Sequence, residues 1–112
     1  MKTKFLTLVC LFLIGTMAVV AQVKTEKFKV YGNCGMCQTR IEKAAKSVEG
    51  VTKAKWNSDN QMLTVTFDES KAKLIDIHKA VAKVGHDTDL EKADATVYSN
   101  LPGCCQYERK TN

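Results

Sequence analysis

The sequence predicts an α+β domain in the order strand, helix, strand, strand, helix, strand. Three observations carry that prediction. Apolar residues alternate in two stretches, with Phe28 and Val30 set against Lys27, Lys29 and Tyr31, and Leu63, Val65 and Phe67 set against Thr64 and Thr66, the period of half-buried strands. Two other stretches carry helical spacing, one with Ile41, Ala44, Ala45 and Val48 and one with Leu74, Ile77, Val81 and Val84, so each lays one apolar stripe on a core. A glycine, Gly50 or Gly85, closes each helical stretch, as expected of a residue free to take a left-handed turn.

Taken in order, the first strand covers Lys27 to Gly32 and the loop Gly32 to Cys37 follows. The first helix then runs from Cys37 to Glu49, with Arg40, Glu42, Lys43 and Lys46 forming a solvated face. Val51 to Asn57 and Met62 to Asp68 form a hairpin around the turn Ser58-Asp59-Asn60-Gln61. Ser70 is the expected cap of the second helix, His78 a partly exposed residue on it, and His86 to Leu90 a short fourth strand. Two strand-helix-strand units of this kind pack as a four-stranded antiparallel sheet with both helices on one face, the ferredoxin-like βαββαβ sandwich. Lys92 to Asn112 exceed that plan, with a short helical turn expected at Asp94 to Asn100 before Pro102-Gly103 breaks it.

The amino terminus carries a different instruction. Lys2 and Lys4 precede an uncharged apolar run from Phe5 to Val20, and Val19-Val20-Ala21 offers small residues for cleavage before Gln22. Residues 1–21 therefore read as a signal peptide. The run falls short of the roughly 20 apolar residues that a membrane span needs. Cys10 lies inside it and would leave with it. Cleavage leaves 91 of the 112 residues, enough for one small domain. The expected location is the periplasm or the exterior, with no stable membrane insertion. Loss of the two leader lysines takes the formal net charge from +5 to +3. The remaining lysines lie among acidic residues without an arginine-rich stripe, which argues against a nucleic-acid partner.

The run Val30-Tyr31-Gly32-Asn33-Cys34-Gly35-Met36-Cys37-Gln38-Thr39-Arg40-Ile41-Glu42 places two thiols where a strand ends and a helix begins. The unpaired amides and partial positive charge of a helix start favour thiolate over thiol. A thiolate pair is a soft ligand set suited to Cu(I) or Zn(II). Cys104 and Cys105 are the other thiols left after cleavage, and two structural disulfides would be the ordinary use of four cysteines in an oxidising compartment. Neighbouring Cα atoms sit about 3.8 Å apart, short of the roughly 4.4 to 6.8 Å of a relaxed disulfide, so Cys104 and Cys105 look elsewhere for partners.

With these residues in place, the chain resembles the heavy-metal-associated domain family of soluble metallochaperones and amino-terminal domains of copper-transporting ATPases, over Thr25 to Leu90. The carriers are Cys34 and Cys37 in the first loop, the helix start Thr39-Arg40-Ile41-Glu42, Gly50-Val51, and Val84-Gly85-His86-Asp87 after the second helix. The resemblance implies a domain over residues 25–91, a carboxy-terminal extension over 92–112, and no enzymatic activity. It implies nearly linear binding of Cu(I) by Cys34 and Cys37, with Zn(II) or Hg(II) as the other ions. Transfer by thiolate exchange to a metal-transporting membrane ATPase or another donor or acceptor protein is also implied, and a metal-bridged homodimer is a further arrangement. Two ligands leave the ion open to a third, unlike a closed four-ligand structural site.

Two positions depart from the family pattern. Gly32 stands where the family usually has Met, and Met36 lies between the cysteines instead, either filling the volume beneath the loop or standing exposed as a weak thioether ligand. His86 occupies a loop expected to face the site, as a further candidate ligand or proton-linked switch, or as a surface residue shaping the local field. Cys104 and Cys105 have no counterpart in the minimal family domain. They are candidates for ligation with the first pair, for a second ion, for disulfides, or for no role. Tyr107-Glu108-Arg109 reads as a surface segment or partner contact.

The competing function is a thiol-disulfide oxidoreductase with Cys34 as nucleophile and Cys37 as resolving thiol. Against it stand the absence of a thioredoxin-type Trp and Pro around the motif and the disagreeing element order. Pro102, the sole proline, lies in the tail.

Overall fold

The computed structural model describes residues 22–109. The leader reading and Cys10 fall outside the described residues. Strand β1 (Val23–Lys29) is followed by α1 (Gly35–Lys46), β2 (Val51–Asn57), β3 (Met62–Asp68), α2 (Leu74–Lys83), a short α3 (Ala95–Ser99) and a 3-10 turn at Gly103–Cys105. Both hairpin strands have the bounds read from the alternation. Among the described residues no helix is long and apolar enough to cross a membrane.

The strands pair antiparallel in the order β1-β3-β2, with β3 at the centre. Leu63 stands opposite Phe28 on one side and Trp56 on the other. These three, with Val65 and Phe67, lie on the sheet face that Ile41 and Ala45 of α1 and Ile77 and Val81 of α2 cover, and all are buried in one core. Thr25 and Thr66 face each other across the strands, their hydroxyls 3.1 Å apart, at the solvated side.

A fourth strand does not form over His86 to Leu90; the structure reduces it to a single antiparallel bridge between Val30 and Thr88. Tyr31 N–H donates to the Asp87 carbonyl at 2.9 Å, and Lys29 N–H donates to the Asp89 carboxylate at 3.0 Å rather than to a backbone partner. The Thr88 hydroxyl then accepts from the amides of Leu90 and Glu91, curling the chain away from the β1 edge. A local side-chain turn has outcompeted the ladder.

Three further sequence expectations are corrected. Ser70 does not cap α2: its amide and hydroxyl both bind Asp68 Oδ1, holding residues 68–72 in a turn, and the helix starts at Leu74 with the Asp76 carboxylate accepting from Lys73 N–H at 3.1 Å. The first helix ends at Lys46 rather than Glu49, because Ser47 N–H divides between the carbonyls of Lys43 and Ala44 and tightens the last turn. His78 is buried, its ring stacked on Phe28 at 3.7 Å between centroids and its Nδ1 2.6 Å from the Thr88 hydroxyl.

The carboxy-terminal segment is part of the fold. Asp94 caps α3 by accepting from Thr96 N–H, where the helical turn was expected. Tyr107 is buried: its hydroxyl accepts from Asp87 N–H and donates to the Gly85 carbonyl, each at 2.8 Å. Arg109 grips Asp87 with two nitrogens at 2.9 and 2.8 Å and donates to the Ala93 carbonyl. Gly85 holds φ at +108°, and a Cβ there would meet Leu101 at 3.0 Å, so the turn after α2 and the seat of the tail both need glycine. Tyr107 and Arg109 therefore fasten the tail to the end of α2, which corrects the surface reading of this segment.

Candidate metal centre

The first loop is shaped from below. Trp56 projects from β2 under Gly32 and donates its indole N–H to the Val30 carbonyl at 2.9 Å. A Cβ on Gly32 would lie 3.1 Å from the indole and 3.2 Å from Cys37 Cβ. Trp56 thus fills the volume beneath the loop that was offered to Met36, and Met36 is 53% exposed. Glu42 belongs to the same support, accepting from Trp56 N–H at 2.9 Å and from Gln38 at 3.0 Å. It is half-buried rather than part of a solvated face.

Cys34 is the N-cap residue of α1, with extended backbone (φ −139°, ψ 179°), and Cys37 lies in the first turn, fully buried against the core. Their sulfurs are 3.5 Å apart. The Cys37 backbone amide acts most strongly on Cys34 and, with the neighbouring thiols, brings it down from 9.0 to about 7 despite some desolvation. Burial pushes Cys37 the other way, up to about 12. The loop therefore pairs a thiol that ionises more readily than usual with one whose proton is held more tightly.

The tail brings the remaining thiols to the same place. Cys105 is buried, with its sulfur 3.6 Å from that of Cys34. Cys104 is exposed, 3.9 Å from Cys105 Sγ and 3.7 Å from Met36 Sδ. The ligand atoms of Cys34, Cys104 and Cys105 all lie within 4.8 Å of one another. Among the described residues, Cys34, Cys37, Cys104 and Cys105 are all free thiols. Arg40, expected on a solvated face, is half-buried and donates to Cys105 Sγ at 3.3 Å. Spacing in the sequence gives no hint of this contact, because Arg40 and Cys105 are 65 residues apart.

His86 does not join that group of ligand atoms. Its ring is buried, stacked on Tyr107 at 5.5 Å between centroids, and its Nδ1 donates to the Tyr31 carbonyl at 2.8 Å. Burial first, and then the Arg40 charge, hold it below 6.5 against the opposing pull of the Tyr31 carbonyl. Its Nε2 is buried with no hydrogen-bond partner among the described residues.

The family model for the heavy-metal-associated domain matches residues 28–87. The chain belongs to the heavy-metal-associated domain family. Within it, the chain is 31% identical over 90 residues to the mercuric transport protein periplasmic component of Shewanella putrefaciens, covering 80% of this chain and 99% of that one. It is 33% identical over 55 residues to the copper chaperone CopZ of Staphylococcus aureus, covering 49% of this chain and 81% of the relative. Among solved structures, the amino-terminal domain of a potential copper-translocating P-type ATPase from Bacillus subtilis, in its Cu(I)-loaded state, superposes with a TM-score of 0.56 at 31% identity. The match covers 60% of this chain and 85% of that one. The relatives are named as carriers and transporters of metal ions rather than as enzymes, in accord with the non-enzymatic expectation. The matched residues stop at 87, short of Cys104 and Cys105.

Proposed function

We propose that this protein is an exported metallochaperone or buffer for soft metal ions, Cu(I) foremost, that takes the ion on Cys34 and Cys37 and passes it on by thiolate exchange. The observation that carries the reading is the sulfur pair 3.5 Å apart at the start of α1, with Cys34 brought to about 7. A soft cation binding there takes Cys34 as a readily formed thiolate and displaces the proton of Cys37. Hg(II) and Zn(II) are the alternative cargoes, the first supported by the relative named for mercuric transport.

Export is supported by the charged and apolar leader pattern of residues 1–21 and by the periplasmic name of that same relative. The likeness to the amino-terminal domain of a potential copper-translocating ATPase supports a membrane metal pump as donor or acceptor. The test is a Cu(I) titration of the reduced protein against a chromophoric chelator, with Cys10→Ala so that only the described thiols compete. Tight binding is expected, and it is expected to vanish in Cys34→Ser and in Cys37→Ser. Undiminished affinity in both variants would remove the loop from the site.

A further inference from the structure

Cys105 occupies a built position. Gln106 donates from its side chain to the carbonyls of Ser99 and Leu101, each at 3.1 Å. Tyr107 closes onto Gly85 and Asp87, and Arg109 clasps Asp87 beyond it. Fixed on both sides, the 3-10 turn sets the Cys105 sulfur 3.6 Å from Cys34, in a position fully shielded from solvent. The Cys34 sulfur thus has the Cys37 sulfur at 3.5 Å and the Cys105 sulfur at 3.6 Å.

The separations bear on the coordination number. With a metal-sulfur bond of about 2.3 Å, two sulfurs on opposite sides of an ion stand about 4.6 Å apart, while a trigonal set stands about 4.0 Å apart and a tetrahedral set about 3.8 Å. The 3.5 Å between Cys34 and Cys37 and the 3.6 Å between Cys34 and Cys105 lie nearer the values for three or four sulfurs. Three thiolates around a monovalent or divalent ion leave net negative charge, and the Arg40 guanidinium, 3.3 Å from Cys105 Sγ, offsets it from the outer side. Cys104 differs from the other three in being solvent-exposed and in contact with the exposed Met36.

Resting on the carrier reading above, we propose that Cys105 is a third ligand, so that the fastened tail turns the open two-cysteine loop into a closed trigonal site of Cys34, Cys37 and Cys105. Cys104 stands at its solvent side as the thiol through which the ion enters and leaves. The same chain then supplies the sulfur that a second copy would contribute in a metal-bridged dimer, and the loaded protein stays monomeric. Transfer to a partner proceeds by exchange: an incoming thiolate forms a metal-sulfur bond as Cys105 gives one up, with no change in oxidation state.

X-ray absorption spectroscopy of the reduced full chain carrying Cys10→Ala, loaded with one equivalent of Cu(I), tests this. Three sulfur neighbours are expected, falling to two in Cys105→Ser and staying at three in Cys104→Ser. Chelator competition is expected to show at least a tenfold loss of affinity in Cys105→Ser. Two or four sulfurs in the parent protein overturn the trigonal site, as does unchanged affinity in Cys105→Ser. The count in the parent decides the matter even if Cys105→Ser fails to fold. Loss of binding in Cys34→Ser alongside any of these results leaves the carrier reading intact, whereas retained binding in both Cys34→Ser and Cys37→Ser overturns both.

Discussion

Trp56 lies directly against Gly32, leaving 3.1 Å between the indole and the place where a Cβ would stand. Aromatic support from β2 and a bare backbone in the loop are two halves of one fit. Gly32→Ala is therefore expected to overpack the site and lower the stability of the metal-free protein by about 1–3 kcal/mol. Urea unfolding checks this, and a midpoint unchanged from the parent would show that the indole has room to give.

Tyr107→Phe removes a hydroxyl that satisfies two backbone groups at once, the Asp87 amide and the Gly85 carbonyl. Each group left buried without a partner costs about 1–3 kcal/mol. The loss is expected both in global unfolding and as faster hydrogen exchange at the Asp87 amide. Exchange as slow as in the parent would mean that another donor or acceptor takes over.

Alkylation should separate the four thiols. Cys34, half-exposed and lowered to about 7, is expected to react first with iodoacetamide at neutral pH. Cys104 follows because its pKa is raised by hydrogen bonding to Cys34 and Cys105, although it is more exposed. Cys37 and Cys105 are buried and should react only on opening of the fold. Peptide mapping of partly labelled protein reads the order directly, and Cys37 labelled ahead of Cys34 would contradict it.

Acid should weaken the metal-free fold through its two histidines. Burial holds both His78 and His86 below the ordinary 6.5, with Asp89 and Glu91 opposing it at His78. As pH falls through 6.5 the unfolded chain takes up protons that the folded chain refuses, so stability is full above that value and declines toward the lower folded values. Denaturation midpoints at pH 7.5 and pH 5 are expected to differ in that direction. Equal midpoints would mean that both rings charge without leaving the core.

Alternation and helical spacing were enough to place β2, β3 and both long helices, because those patterns record which face of each element is buried. Short-range chemistry misled where a side chain chose a nearer partner. Ser70 bound Asp68 instead of capping α2, and Thr88 turned the chain where a strand was expected. The loop cysteines were legible from their position at a helix start. The tail was not: Tyr107 and Arg109 look like ordinary surface residues until Gly85 and Asp87 are brought beside them, and no local pattern encodes a contact between residues 22 apart in the chain. Two signals were available in hindsight, an aromatic and a cation after the cysteine pair and an aspartate directly after His86.

The contact between Cys34 and Cys105 spans 71 positions of the chain. During synthesis the first pair of thiols is made long before the second, and the four can meet only after β3, α2 and the closing turn have folded between them. Docking of the segment around Cys105 is thus the step that takes this one thiol out of solvent and sets it beside Cys34.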